Sequence, residues 1–157
     1  MVWSTITFGK HKGKTLPQVM FSDPDWFFWA YEEKVFDAKG TLKKQADEIY
    51  RKATRIIPPQ AGHEPMVVEH VIHHPTNKYA HFELVPESRP RHVGSSATLR
   101  EKLLDMSVPR KIAKYDKLGC KSLVRSLKHF FFNSESARMT RERCEAFFNE
   151  PKHFRLP

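Results

Sequence analysis

Positively charged side chains crowd into one short loop near the start of the sequence, where they could bind phosphate. The residues concerned are Lys10, His11, Lys12 and Lys14. They have no apolar neighbours that would bury them, so we expect all four side chains to project into water as one compact positive surface. Ammonium groups presented in this way neutralise the backbone phosphates of nucleic acid. The loop therefore predicts a nucleic-acid-binding site.

A second concentration of positive charge lies between residues 100 and 128. This segment holds nine Lys or Arg residues and three Asp or Glu residues, a net charge of +6 out of the +9 of the whole chain. The excess continues through a loop between two predicted helices, where the solvation of a helix face does not account for it. The predicted phosphate contacts of this segment are Arg110, Lys111, Lys114, Lys117, Lys121 and Arg125.

Histidines are the residues that could bind a metal ion. Five of the nine crowd into residues 63–81, namely His63, His70, His73, His74 and His81. A zinc site normally includes thiolates or carboxylates at a recognisable spacing, and no cysteine is close in sequence. Two interpretations stay open: a metal-dependent nuclease built on this cluster, or strand and surface histidines that add positive charge at lower pH.

The motifs of the common enzyme sites are absent from the sequence. There is no P-loop, no dinucleotide-binding glycine pattern and no nucleophile elbow. The sequence therefore gives no reason to name a catalytic residue or a cofactor, and we favour a protein that is not an enzyme.

Aromatic side chains could stack on unpaired bases. Five of them lie within residues 26–31, and their helical spacing predicts that they belong to the core. Trp3 and His11 lie in or beside the basic loop, so we expect these two to be the stacking residues.

The basic loop needs supporting elements on both sides. Residues 5–8 alternate like a short strand and residues 14–16 are its expected partner, which makes the loop the tip of a hairpin. Gly9 and Gly13 lie where such a tip needs a positive φ. Asp23 and Pro24 together predict the start of a helix, and the apolar residues that follow indicate a helix buried on more than one side.

The sequence FGKHKGKTLPQV, followed by DPDWFFWAYE, resembles a small module found at the C-terminus of exodeoxyribonuclease X-type proteins. The resemblance covers residues 5–36. Its matching positions are Phe8, Gly9, Lys10, Lys12, Gly13, Lys14, Leu16 and Trp29. The resemblance implies an accessory nucleic-acid-associated module, because the nuclease chemistry of that family resides in a separate domain with metal-binding carboxylates. This sequence has no Asp-x-Glu exonuclease segment.

Length and composition are those of a globular protein. The chain has 157 residues, of which 39% are hydrophobic and 29% are charged. No apolar run is long enough to span a membrane, and the N-terminus lacks the apolar core of a signal peptide, so we expect a cytoplasmic protein with no membrane partner. Cys120 and Cys144 lack a CxxC spacing, and we expect both to be free thiols.

The remaining elements follow from the spacing of apolar residues. We predict a helix over residues 41–57, ended by Pro58 and Pro59, and a hairpin with strands at residues 66–72 and 79–85. Four later helices are predicted to start at residues 95 or 96, 112, 121, and 134 or 136, the first of them stopped or kinked by Pro109.

These elements predict an α+β fold. A small N-terminal β-hairpin plus helix is followed by a second antiparallel hairpin packed by several helices. Residues 58–65 have a polar, turn-forming composition. We therefore expect them to link two units, residues 1–57 and residues 66–157.

The distribution of charge favours a non-catalytic nucleic-acid-binding accessory protein. Contacts to backbone phosphates predict strong salt dependence and little sequence preference, with DNA favoured over RNA as the partner. A further expected partner is a host protein or a replication or repair protein. Two alternatives remain: a small phage-type protein that binds and modulates an acidic surface of a host protein, and the metal-dependent nuclease described above.

Overall fold

A computed structural model describes residues 1–60, 62–91, 94, 96–112 and 116–156. Within these residues the helices and strands are α1 (Leu16–Ser22), α2 (Pro24–Glu32), α3 (Thr41–Ala53), β1 (Met66–His73), β2 (Lys78–Pro86), β3 (Ser96–Glu101), α4 (Val108–Ile112), α5 (Gly119–Phe132) and α6 (Arg141–Asn149). One turn of 3-10 helix follows at Pro151–His153. The predicted α+β fold is confirmed.

The predicted N-terminal hairpin is very short. A single antiparallel bridge joins Thr5 to Thr15, and the next residue, Leu16, already begins α1. Asp23 begins α2 as predicted, because its carboxylate accepts a hydrogen bond of 3.4 Å from the backbone N–H of Trp26 and Pro24 follows directly. The sequence analysis missed α1, a helix of only seven residues.

The three strands form one antiparallel sheet in the order β2-β1-β3. The predicted hairpin of β1 and β2 is confirmed, but the helix predicted to begin at residue 95 or 96 is wrong. Residues 96–101 instead form β3, in which Leu99 lies opposite His70 and Arg100 lies opposite Glu69. Residue 95 lies outside the described residues. The spacing of the leucines favours a helix, but these residues adopt a strand because a strand can pair with the edge of β1 that β2 leaves free.

Several helix boundaries also differ from the prediction; for example, the helix predicted over residues 41–57 ends at Ala53. Pro109 is the second residue of α4 and does not stop a helix, since proline is tolerated in a first turn, where its missing N–H has no partner to lose. The last helix begins only at Arg141, where Thr140 accepts a hydrogen bond of 3.2 Å from the backbone N–H of Arg143. Ser134 and Ser136, the predicted starting points, lie in the turn before it.

One hydrophobic core connects the described parts of the chain. It includes Trp3 near the N-terminus, Phe28 of α2, Phe82 of β2 and Phe154 near the C-terminus. Ile56, just before the predicted linker, forms bridges with both Leu104 and Phe154. The segments on either side of residues 58–65 therefore share this core.

Helix α5 closes one edge of the sheet. The backbone N–H of Phe82 on β2 donates to Ser126 Oγ of α5 at 3.3 Å, and that of Tyr79 donates to Asp116 Oδ2 at 2.9 Å. Edge strands carry unpaired backbone groups that need such partners. None of the described helices is both long and apolar enough to cross a lipid bilayer.

Candidate nucleic-acid interface

The basic loop, residues 9–14, is a tight turn whose shape depends on two glycines. Gly9 and Gly13 adopt φ values of +70° and +89°, a region that disfavours other residues. The loop is closed at its base, where Ile6 N–H donates to the carbonyl of Lys14 and Gly13 N–H donates to the carbonyl of Ile6, both at 2.8 Å. The sequence analysis predicted this role for both glycines.

The prediction that His11 projects into water is wrong. His11 is only 7% exposed and lies edge-on to Trp26, with ring centroids 4.9 Å apart. Its Nε2 atom is 2.9 Å from Asp23 Oδ2. Asp23 lies twelve residues away, and the start of α2 brings its carboxylate under the loop. His11 therefore fixes the loop to α2 and is not available to stack on a base.

The lysines of the loop do reach solvent. Lys12 and Lys14 are exposed, and neither forms an ion pair with a described residue. Lys10 also reaches solvent but pairs with Asp23 at 2.9 Å. Burial raises the pKa of Asp23, but hydrogen bonds from Lys10 and His11 outweigh this effect and hold the pKa below its usual value. Lys12 and Lys14 are therefore free to bind a phosphate, whereas the charge of Lys10 is partly balanced by Asp23.

Two predicted contacts of the basic segment are already paired with carboxylates of the protein. Arg110 forms a two-point contact with Glu32, at 2.8 Å and 3.2 Å, and Lys111 lies 3.0 Å from Asp105. These hydrogen bonds raise the pKa of both cations, which stay charged. Their charges are largely balanced within the fold, so Arg110 and Lys111 contribute less to a positive surface than the sequence suggested. Lys114 lies outside the described residues.

The other predicted contacts form a row along α5. Lys117 lies just before the helix, Lys121 and Arg125 follow at intervals of four residues, and Lys128 follows three residues later. Such spacing keeps side chains on one face of a helix. We call these four residues the α5 basic row. The opposite face of α5 is buried through Leu123, Val124 and Leu127, among others.

No acidic residue balances the α5 basic row from within the helix, because residues 119–132 contain no Asp or Glu. Nor does any member of the row form an ion pair with another described residue. Lys117, Lys121 and Arg125 are exposed and Lys128 is half-buried. The row therefore presents positive charge that no described carboxylate balances.

Helix α2 lies between the basic loop and α5. On one side Trp26 contacts His11 of the loop. On another side the Asp25 carboxyl lies beside Cys120 in the first turn of α5, without a hydrogen bond of standard geometry to any described residue. Burial raises the pKa of Asp25, while Cys120 and the nearby Arg110 offset part of the rise. Both basic regions are thus anchored to the first turn of α2.

Trp29 is the exposed aromatic residue of this region, and the sequence analysis missed it. Its exposed fraction is 47%, whereas Trp3, a predicted stacking residue, is 3% exposed and donates a hydrogen bond from Nε1 to Asn149 at 3.0 Å. A helical projection of the sequence does indicate that Trp29 is exposed, because it places Trp29 between Asp25 and Glu32 on one side and Glu33 on the other. The dense run of aromatic residues obscured this polar side of α2.

No family model, curated protein or solved structure matches the chain. The resemblance of residues 5–36 to the exodeoxyribonuclease X module therefore stays a prediction.

The clustered histidines separate in the fold. His70 is completely buried, with Nδ1 2.6 Å from the Tyr79 hydroxyl, while His73 and His74 lie exposed at the β1–β2 turn. His81 and His129 line a shallow cavity of about 290 Å³ together with Glu83 and Glu135. Among the described residues, no three His, Cys, Asp or Glu side chains lie close enough together to hold a metal ion.

Proposed function

We propose that this protein binds nucleic acid without catalysis, contacting backbone phosphates through the basic loop and the α5 basic row. The observation that carries the proposal is the row itself: three cations on one face of α5 and a fourth just before it, no acid in the helix and no ion pair to the other described residues. Unpaired cations in a row can neutralise the phosphates of a nucleic-acid backbone.

Further observations support this proposal. Lys12 and Lys14 add free positive charge from the loop, and α2 holds the loop and α5 at its two sides. Contacts of this kind position a nucleic-acid backbone and carry little sequence information. An accessory role, with DNA as the preferred partner, agrees with the predicted resemblance of residues 5–36. We also propose a cytoplasmic location, because both cysteines are free and buried.

The test compares two double variants with equal loss of charge. Lys121→Ala/Arg125→Ala removes two members of the row, and Lys44→Ala/Arg138→Ala removes one exposed lysine and one exposed arginine from α3 and from the turn before α6. Affinity for a labelled DNA duplex is measured at several salt concentrations. The row variant should bind more weakly and lower the slope of log Kd against log salt by about two.

The control variant should retain nearly the wild-type affinity and slope. Equal losses in both variants would show that only net charge matters and would contradict an interface on α5. A third variant, Lys12→Ala/Lys14→Ala, tests the basic loop, and we expect it to weaken binding to all DNA sequences alike. Wild-type affinity in that variant would remove the loop from the interface.

A further inference from the structure

We propose that Trp29 stacks on an unpaired base, so that the preferred ligand is single-stranded nucleic acid. This inference rests on the proposed nucleic-acid binding and specifies its substrate class. Trp29 is far more exposed than the aromatic residues that precede it. Phe27 and Phe28, next to Trp29 in sequence, are completely or almost completely buried, yet Trp29 leaves nearly half of its surface in water.

The position of Trp29 on α2 places it between the two basic regions. In a helical projection Asp25 and Glu32 lie about 50° to one side of Trp29, and Trp26 lies about 60° to the other side. Asp25 and Glu32 face α5 and α4 through Cys120 and Arg110. Trp26 faces the basic loop through His11. The indole ring therefore occupies the ridge that separates the loop from the start of α5.

Lysines on both sides of this ridge could contact the backbone of a nucleic-acid strand. Lys12 and Lys14 lie on the loop side, and Lys117 and Lys121 lie at the start of α5. Glu32, an exposed acid on that side of α2, is already paired with Arg110 of α4. A strand that crosses α2 would place phosphates near both groups of lysines and a base against the indole face. Stacking on an aromatic ring needs an unpaired base, because the bases of a duplex are covered by their neighbours.

The experiment uses the full chain with two ligands, an oligo(dT) of about 20 nucleotides and a DNA duplex of the same length. The variants are Trp29→Ala and Trp29→Phe, with Lys121→Ala/Arg125→Ala as the control for phosphate contacts. Trp29→Ala should weaken oligo(dT) binding at least about fivefold and leave duplex binding within about twofold. Trp29→Phe keeps an aromatic face and should retain most of the affinity.

Intrinsic fluorescence supplies a readout that a purely structural role would not change. Trp3 is buried and Trp26 is half-buried, so quenching by oligo(dT) should come mainly from Trp29 and should disappear in Trp29→Phe. Circular dichroism checks that both variants fold. Because Trp29 is exposed, its replacement should leave the fold intact.

The outcomes separate this inference from the proposed function. Loss of oligo(dT) affinity and of quenching in Trp29→Ala, with duplex binding retained, supports stacking. If Lys121→Ala/Arg125→Ala weakens binding but Trp29→Ala does not, stacking is overturned and the phosphate interface stands. If wild-type protein binds neither DNA, both are overturned. Competition by poly-glutamate as effective as that by oligo(dT) would also overturn stacking and favour an acidic protein partner.

Discussion

His70 is a titratable residue that the fold keeps away from water. It is completely buried between Tyr79 and Phe82, and its Nε2 atom has no partner among the described residues. Burial lowers the pKa of His70 to about 4, although the charge of Asp105 acts in the opposite direction. The usual value near 6.5 applies in the unfolded chain. The folded state therefore binds this proton less readily than the unfolded state.

This difference predicts a loss of stability in mild acid. The contribution of His70 is fully present above pH 6.5 and is lost as the pH falls towards 4, because protonation then favours the unfolded chain. Between pH 7 and pH 5 the contribution of His70 alone should lower the free energy of unfolding by about 2 kcal/mol. Urea unfolding at several pH values measures this slope. His70→Gln should make the free energy of unfolding depend less on pH, whereas His73→Gln, at an exposed position, should leave that dependence unchanged. An unchanged pH dependence in His70→Gln would contradict the role of His70.

Individual side chains were the hardest features to predict from the sequence. The positions of Lys12, Lys14 and the α5 cations at the surface followed from local composition and helical spacing. His11 was assigned wrongly because its partner, Asp23, reaches it only through the start of α2. Arg110 was overestimated for a similar reason, since Glu32 lies 78 residues away in sequence. Contacts between distant residues decided which cations remain free.

At the scale of elements, the packing of α4 against α5 depends on Gly119. A Cβ atom added at Gly119 would lie 2.8 Å from Cβ of Pro109 and 3.3 Å from Cβ of Tyr79. Both neighbours belong to the packed elements and have little freedom to move. The absence of a side chain at this position therefore allows α5 to approach both α4 and β2.

Replacement of this glycine should destabilise the protein even though alanine is the better helix former. We expect Gly119→Ala to lower the free energy of unfolding by about 1–3 kcal/mol, because overpacking exceeds the gain in helix propensity, which is at most about 1 kcal/mol for a glycine at the first helical position. Chemical denaturation provides the measurement. Ser122→Ala, one turn later in the same helix, should change stability by less than about 0.5 kcal/mol. Equal or greater stability of Gly119→Ala would contradict the predicted clash.

The elements themselves were predictable where the local signals agreed. Asp23 and Pro24 located the start of α2, and the β-branched residues of β1 and β2 indicated their hairpin. The prediction for residues 96–101 was wrong because Leu99, Leu103 and Leu104 have the spacing of an amphipathic helix. Pairing with β1 instead determines the strand conformation of these residues. Helix α1 is too short to show a full apolar period.

At the scale of the whole molecule, one core joins segments from both ends of the chain. Ile56 bridges to Leu104 and to Phe154, and Trp3 donates its hydrogen bond to Asn149. The side chain of Lys52, itself buried, donates to the carbonyl of Phe148 at 2.7 Å. These contacts predict that residues 1–57 and residues 66–157 unfold together.

The location of the tryptophans makes this prediction testable without labels. All three lie in residues 1–57, whereas the three strands lie in residues 66–101. Urea transitions followed by tryptophan fluorescence and by far-ultraviolet circular dichroism should coincide. Phe154→Ala should shift both by the same amount and cost about 3–5 kcal/mol. Two separate transitions would show instead that the two segments fold independently.

The attachment of α5 to the edge of β2 has a consequence for the energetics of binding. If the helix moved away, the N–H group of Phe82 would lose Ser126 as its partner, and if the turn before the helix moved, the N–H group of Tyr79 would lose Asp116. The backbone that carries the α5 basic row is therefore ordered in advance, and the proposed association with a nucleic acid would not require ordering it. Only the side chains lose freedom. A rigid scaffold of this kind favours rapid, salt-sensitive encounter over induced folding.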